Sequence, residues 1–355
     1  MCRLTNQIAA VVLAVLCFSS QVATSTAADR VRPSAYISGD FCAVLVIHPQ
    51  RIAKSPLAKP LPLDGVAGAA ESQAPADVDV AALFETLKPE KILRIIVVVD
   101  PVPGGNLAFL PGVIVQYTED IDGAAVLKAL LEDAAIAKHN GKTYHRGAET
   151  DFLAKLPLCG HVADDRTLVF AAEPTMKKML SAKKTDNPLL DRMKKTTLNH
   201  DVIVEFVAAP MVKAFEKKTG KTVAEALEDD PEDPIGQIAT MVAGVSLTLD
   251  LSGDTLLKVN VTAASDAAAV QMEVMAKLGL KEAEKQFEAL KPMIAENAPP
   301  NLTEPINALV KQVLSGLTIS RSERDINAVL LMPAALLDLA RNAGKVLDEL
   351  DSDGP

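Results

Sequence analysis

The stretch Leu168–Leu180 reads LVFAAEPTMKKML and predicts an apolar strand that turns at a proline directly into a helix. A second stretch of the same kind, NAVLLMPAALLDL, occupies Asn327–Leu339, with Pro333 in the place of Pro174. Proline favours this junction because it holds the preceding residue extended, fixes φ for the helix and lacks the N–H that a first helical turn leaves unpaired. The pattern therefore predicts a unit that occurs twice.

Other elements recur in the same order along the chain. The junction is also found at Val44–Ile52 and Val202–Val212, and Val245–Asp250 matches Ile95–Asp100 at a spacing of 150 residues (245 − 95). Elements that keep their order while loop lengths change indicate an internal duplication. Hairpins interrupted by helices predict an α+β fold of two similar halves, each an antiparallel sheet with helices packed on one face.

The N-terminal segment, residues 1–28, is typical of a secretory signal peptide. Arg3 supplies the positive charge, Ile8–Phe18 is apolar, and small residues follow before the expected cleavage site. The apolar run is too short to span about 30 Å of hydrocarbon as a helix. We therefore expect a secreted or periplasmic protein with no membrane span in the mature chain.

These patterns predict how the mature chain divides. The predicted parts are a first half at 29–190 with a flexible loop at about 55–82, a second half at 191–350, and a disordered tail at 351–355.

Composition and motifs exclude several functions. The net charge of −10 and the pI near 5.1 repel nucleic acid, and with no Trp and three Tyr there are few rings for stacking on bases. The sequence contains no phosphate-binding loop, no metalloprotease helix and no nucleophile elbow. It therefore indicates no cofactor, no metal and no catalytic residue, although catalytic triads also assemble from distant positions.

Two cysteines, Cys42 and Cys159, follow the signal segment. In an oxidising compartment they are a candidate disulfide, and the alternative is a pair of buried, inert thiols. A metal site that adds His48 and His161 is a third interpretation, but its spacing matches no known signature.

The two halves differ in the residues predicted to face outward from the sheet. In the second half these residues are polar: Ser246, Thr248, Asp250, Lys258, Asn260 and Thr262. Three of the equivalent positions in the first half are Ile96, Val98 and Ile114. Exposing each such side chain to water loses about 1.5–3 kcal/mol of the free energy gained by burial. These three residues therefore form a candidate interaction face for a partner protein or an apolar ligand. The alternative is cover by the Ser55–Ala82 segment or by the other half.

The signal segment, the alanine-rich acidic composition and the doubled strand–proline–helix unit resemble secreted proteins of unknown function from planctomycete-type bacteria. The resemblance implies export and assigns no functional residue. We therefore expect an exported, non-catalytic binding or envelope-associated protein. The alternatives are a hydrolase with its active site in the cleft between the halves, and a carrier of an apolar small molecule.

Overall fold

The computed structural model describes most of the chain after residue 31. The predicted signal peptide, most of the predicted loop and the predicted tail lie outside the described residues. The described ranges are 32–58, 87–102, 108–131, 133–150, 156–183, 187–197, 199–230, 234–297 and 300–340.

The fold is α+β, as predicted, and is built on one large antiparallel sheet. The strands lie side by side in the order β11-β12-β10-β9-β8-β1-β2-β3-β7-β6-β5-β4. Their bounds are β1 Ala43–Ile47, β2 Ile92–Val102, β3 Ala108–Tyr117, β4 Ala135–His139, β5 Lys142–Thr150, β6 Leu156–Asp164, β7 Thr167–Ala172, β8 Val202–Val207, β9 Val242–Leu249, β10 Thr255–Ala263, β11 Leu317–Ser322 and β12 Asp325–Leu331.

Helices connect and cover the strands. Their bounds are α1 Pro49–Lys54, α2 Gly123–Leu130, α3 Glu173–Leu180, α4 Pro188–Lys195, α5 Ala209–Thr219, α6 Val223–Asp229, α7 Pro234–Met241, α8 Asp266–Asn297 and α9 Pro300–Gly316, with a further helical segment at 334–340. Two 3₁₀ turns lie at Pro33–Tyr36 and Pro89–Lys91.

Local sequence signals explain where several elements begin and end. Pro174 lies in the first turn of α3, directly after β7. Asn140 and Gly141 both have positive φ, 50° and 75°, and form the tight turn between β4 and β5. Gly220, with φ of 69°, ends α5 in the left-handed conformation that glycine adopts without strain. The junction predicted at Pro174 is confirmed.

The sheet is continuous where the sequence predicts two separate sheets. The first strand, β1, pairs with β2 on one side and with β8 on the other, so that Leu45 lies opposite both Val97 and Val204. The pairing satisfies backbone groups that would otherwise form two exposed sheet edges. We refer to β1–β7 as the first half of the sheet and to β8–β12 as the second half.

The two halves have corresponding strand orders on either side of the β1–β8 pair. The order β1-β2-β3-β7-β6 in the first half corresponds to β8-β9-β10-β12-β11 in the second, while β4 and β5 extend the first half alone. The residue pairing between the first two strands of each half also corresponds. In the first half Val44 lies opposite Val98, and in the second half Ile203 lies opposite Thr248. This agrees with the spacing of 150 between Val98 and Thr248 that the sequence predicts.

The candidate interaction face is not exposed. Ile96, Val98 and Ile114 are 2%, 0% and 0% exposed. They pack in a core with side chains of α3 and α4, including Met176 and Leu189. Helices α3 and α4 of the same chain therefore contribute to the cover, and Ile203 and Val207 of β8 belong to the same core. Most of the Ser55–Ala82 segment lies outside the described residues.

Helices cover both faces of the first half, not one face as predicted. On the face opposite Ile114, Val97 and Val115 pack with Val126 of α2 and Ile52 of α1. In the second half, α8 covers this same face through a smaller cluster around Ala269.

The candidate disulfide is also absent. Cys42 and Cys159 are unpaired and buried. Cys42 precedes β1 and Cys159 lies in β6, four strands away across the sheet. At about 4.8 Å between strands the separation is about 19 Å, whereas a disulfide needs α-carbons within about 7 Å. The same separation rules out a metal site that uses both thiols.

We predict that Cys42 and Cys159 react only in the unfolded protein. Burial raises the pKa of both thiols to about 12, so little thiolate forms at about pH 8. Mass spectrometry after iodoacetamide treatment should show no labelling of Cys42 or Cys159 in the native protein and labelling of both in guanidinium chloride without reductant. A cross-linked pair of cysteine peptides would contradict the prediction.

We predict that Ile114→Ala lowers the free energy of unfolding by about 2–5 kcal/mol, because it leaves a cavity between the sheet and α3. The matched control is Ile136→Ala on edge strand β4, where the side chain is 70% exposed. The control should cost less than about 1 kcal/mol. Urea titration measures both values, and equal losses would argue against the assignment of Ile114 to the core.

Candidate functional site

A cleft of about 530 Å³ lies on the second half of the sheet, on the face that α3 and α4 close in the first half. We call it the polar cleft and define it by its lining residues. They are Arg192, Lys195, Thr196, Thr197, His200, Glu205, Ser246, Thr248, Lys258, Asn260, Thr262, Asp325 and Asn327.

The floor of the cleft is a row of polar side chains on paired strands. Glu205 lies opposite Ser246, Ser246 opposite Asn260, and Asn260 opposite Asn327. Paired residues share a sheet face, so all four project to the same side. On the first-half side of Glu205 the next residue in the row is Val44. This row thus changes from apolar to polar at the β1–β8 pair, whereas Ile203 and Val207, on the same face of β8, belong to the apolar core.

One wall of the cleft is the end of α4. The Asn187 side chain accepts hydrogen bonds from the backbone N–H groups of Leu189 and Leu190 and caps the helix start. Both leucines are buried in the first-half core. The last turn carries the basic residues Arg192 and Lys195, which suit a helix C-terminus. The helix is therefore anchored in one half and presents its cationic end to the other.

Glu205 is a fully buried carboxylate at the base of the cleft. One oxygen accepts hydrogen bonds from the hydroxyls of Thr196 and Ser246. The other lies 3.3 Å from Nε of Arg192. Removing a charge from water costs several kcal/mol, and these partners offset that cost. Glu205 therefore fixes Arg192 against the floor.

A second set of contacts extends from the same guanidinium. Arg192 donates from a terminal nitrogen to Thr262 Oγ1 at 3.1 Å, and Thr262 donates to Asp325 Oδ1 at 2.7 Å. Gly244 makes this reach possible, because a Cβ there would lie 2.8 Å from that nitrogen of Arg192. Both carboxylates of the cleft thus belong to one network centred on Arg192.

His200 stands at the rim, where it links the cleft wall to β9. Its Nδ1 lies 2.5 Å from Asp250 Oδ2, and its Nε2 lies 3.2 Å from Thr197 Oγ1. The neutral tautomer that fits both contacts carries its proton on Nδ1. His48 Nδ1 donates to the His200 carbonyl at 2.8 Å, and burial lowers the pKa of His48. Thr197, His200 and Asp250 therefore place a hydroxyl, an imidazole and a carboxylate in one series of hydrogen bonds.

Several polar groups of the cleft remain available to a ligand. Lys195 and Lys258 are exposed and have no hydrogen-bond or ion-pair partner within the part of the chain that the structure describes. Asn260 donates to Asn327 Oδ1 at 3.1 Å, which leaves one carbonyl oxygen and one amide nitrogen of this pair for other contacts. Thr248 adds a hydroxyl on the floor.

The described ranges contain no cluster of three or more His, Cys, Asp or Glu side chains placed to hold a metal ion.

Within the described ranges, the second half has no counterpart to the α3 cover, and the cleft is open there. The segment at 334–340 follows β12 as α3 follows β7. It is bound to α9, where the backbone N–H of Ala335 donates to Gln312 Oε1 at 3.0 Å. None of its described residues lines the cleft.

The candidate site therefore lies on the opposite half from the one that the sequence favoured. Ile96, Val98 and Ile114 are core residues, whereas the polar row that the sequence placed in solvent forms the cleft floor. Alternation of Ser, Thr and Asn on β9 and β10 was the available signal. Arg192 and Glu205 were missed, because nothing in the local sequence places them on that face together.

Comparison with known proteins identifies no family. No known family profile matches the chain, and no curated protein matches it in sequence. A solved structure titled "Structure of crystal form I of TP0453" superposes with a TM-score of 0.40 at 10% sequence identity, over 89% of this chain and 98% of that one.

We predict that Arg192→Met lowers the free energy of unfolding by about 3–5 kcal/mol, because it leaves the buried Glu205 carboxylate without its cation. Adding Glu205→Leu should restore part of the loss. The matched control is Arg324→Met, which removes an exposed pair with Asp266 and should cost at most about 1 kcal/mol. Urea titration measures all three. A double variant less stable than Arg192→Met alone would contradict the pairing.

Proposed function

We propose that this protein is a non-catalytic binding protein whose ligand site is the polar cleft. One observation carries the proposal. The same sheet face is closed by helices in the first half, whereas the described residues leave it open in the second, where polar side chains line a cleft of about 530 Å³. Clefts of this volume suit small molecules. Part of the lining of this cleft is held in place by the hydrogen bonds around Glu205 and Arg192, which include Thr196, Ser246, Thr262 and Asp325.

We also propose that the protein is exported and acts outside the cytoplasm or in association with the envelope. The support is the signal-like segment at 1–28. Among the described helices, none combines the length and the apolar character that crossing a bilayer requires.

The internal duplication is part of the proposal. Its support is the matching strand order on the two sides of the β1–β8 pair, together with the equivalent pairing of Val98 and Thr248. Under this proposal the two halves descend from one duplicated unit, and the same sheet face now differs between them. One buried it beneath α3, and the other kept it open to ligand.

A hydrolase is the second candidate, and one observation favours it. Thr197, His200 and Asp250 form a chain of hydrogen bonds in the order of a nucleophile, a base and the group that orients the base. The chain lies at the rim of the cleft, close to the junction of the halves.

A carrier of apolar molecules is the third candidate. It would use the groove of about 680 Å³ between α8 and α9, whose lining includes the apolar side chains of Phe287 and Leu314.

We predict that ligand-observed NMR with a library of sugars, sugar acids, amino acids, dicarboxylates and sugar phosphates detects a ligand that is lost in Asn260→Phe. The new ring would fill the cleft floor. The matched control is Ser320→Phe on β11, an exposed position on the same sheet face that does not line the cleft. It should retain binding.

Each result of this screen separates the candidates. If no compound depends on Asn260, the cleft is not the binding site and the proposal fails. A compound that is converted as well as bound, with conversion lost in His200→Gln, would favour the hydrolase. Thermal unfolding must show that each variant is folded.

A further inference from the structure

We propose that the ligand of the polar cleft is a small polyhydroxylated acid, a sugar acid or a sugar phosphate, whose anionic group lies between Lys195 and Lys258. This inference rests on the proposed function of the cleft. The two lysines approach from different elements, because Lys195 ends α4 on the wall and Lys258 lies on β10 in the floor.

The charge of the cleft favours an anion. Three basic side chains and two carboxylates line it, a net of +1 (3 − 2), in a chain whose net charge is −10. Glu205 and Asp325 are both engaged with the Arg192 network. Arg192 offsets the charge of Glu205, so the two lysines and Asp325 together leave a net charge of +1 (2 − 1). The lysine ammonium groups bind carboxylate and phosphate oxygens through charge-assisted hydrogen bonds.

The neutral part of the floor favours hydroxyl groups. Asn260 offers a carbonyl oxygen, Asn327 offers amide hydrogens, and Thr248 offers a hydroxyl that donates and accepts. A ligand hydroxyl also donates and accepts, so adjacent hydroxyls match this mixed set. An apolar ligand would leave these groups unpaired, at a cost of about 1–3 kcal/mol for each buried group.

The lining also explains why charge is needed for affinity. None of the described lining residues is Phe, Tyr or Trp, so the cleft has no platform on which a neutral sugar ring can stack. Hydrogen bonds to neutral groups exchange with water and contribute modestly. The two lysines are thus the main source of affinity, and binding should weaken as salt is added.

Isothermal titration calorimetry with four probes tests this inference. D-Glucuronate and D-glucose 6-phosphate carry the two kinds of anion, D-glucose is uncharged, and D-glucosamine is cationic. At least one acid should bind the wild type at least tenfold more tightly than D-glucose or D-glucosamine. Which acid binds better distinguishes a carboxylate ligand from a phosphate ligand.

A matched pair of lysine variants locates the anion. Lys195→Met with Lys258→Met should weaken binding of the preferred acid at least tenfold. Lys194→Met, one residue away on α4 and exposed in a pair with Asp191, should leave it unchanged.

Three results would overturn the inference. These are no binding of either acid, binding of D-glucose or D-glucosamine as tight as that of the acids, or undiminished affinity in the double variant. If the inference fails while the library still yields a ligand sensitive to Asn260→Phe, the cleft is a binding site for another class of molecule. If that ligand is absent too, the proposed function fails with it.

Discussion

The pairing of β1 with β8 is the constraint on which the rest of the structure depends. It joins two sets of strands into one antiparallel sheet and aligns the residues of both halves in continuous rows. Because paired residues share a face, Val44 of the apolar half lies directly beside Glu205 of the polar half. In this row the side-chain chemistry therefore changes within one strand spacing, about 4.8 Å.

Helix α4 lies across that boundary. Leu189 and Leu190 at its start are buried under the first half, so the helix cannot shift without exposing them. Its last turn then holds Arg192 over the second half, where Glu205 pairs with it. The stability of one core and the geometry of the cleft are thus coupled through one short helix.

The sequence predicted the fold class and many local elements. Proline at strand ends, glycine at turns and helix ends, and the alternation of β9 and β10 act through neighbouring residues, so they can be recognised without tertiary contacts. The comparison of outward-facing residues also identified the correct chemical contrast between the halves. The prediction that Ile96, Val98 and Ile114 are exposed was wrong, because exposure was inferred from strand alternation alone and α3 and α4 were not placed over them.

By itself, the sequence determined an α+β protein with strand–proline–helix junctions and with polar alternating residues on β9 and β10 where β2 and β3 carry apolar ones, since these follow from periodicity and backbone preference. Only the tertiary structure decided that the halves share one sheet, that Cys42 and Cys159 lie too far apart to bond, and that Arg192, Glu205 and Asp325 converge. The physical reason is that strand pairing and helix cover depend on contacts between residues distant in the chain. Which of these contacts form depends on how the whole sheet face is buried, and no local sequence pattern shows this.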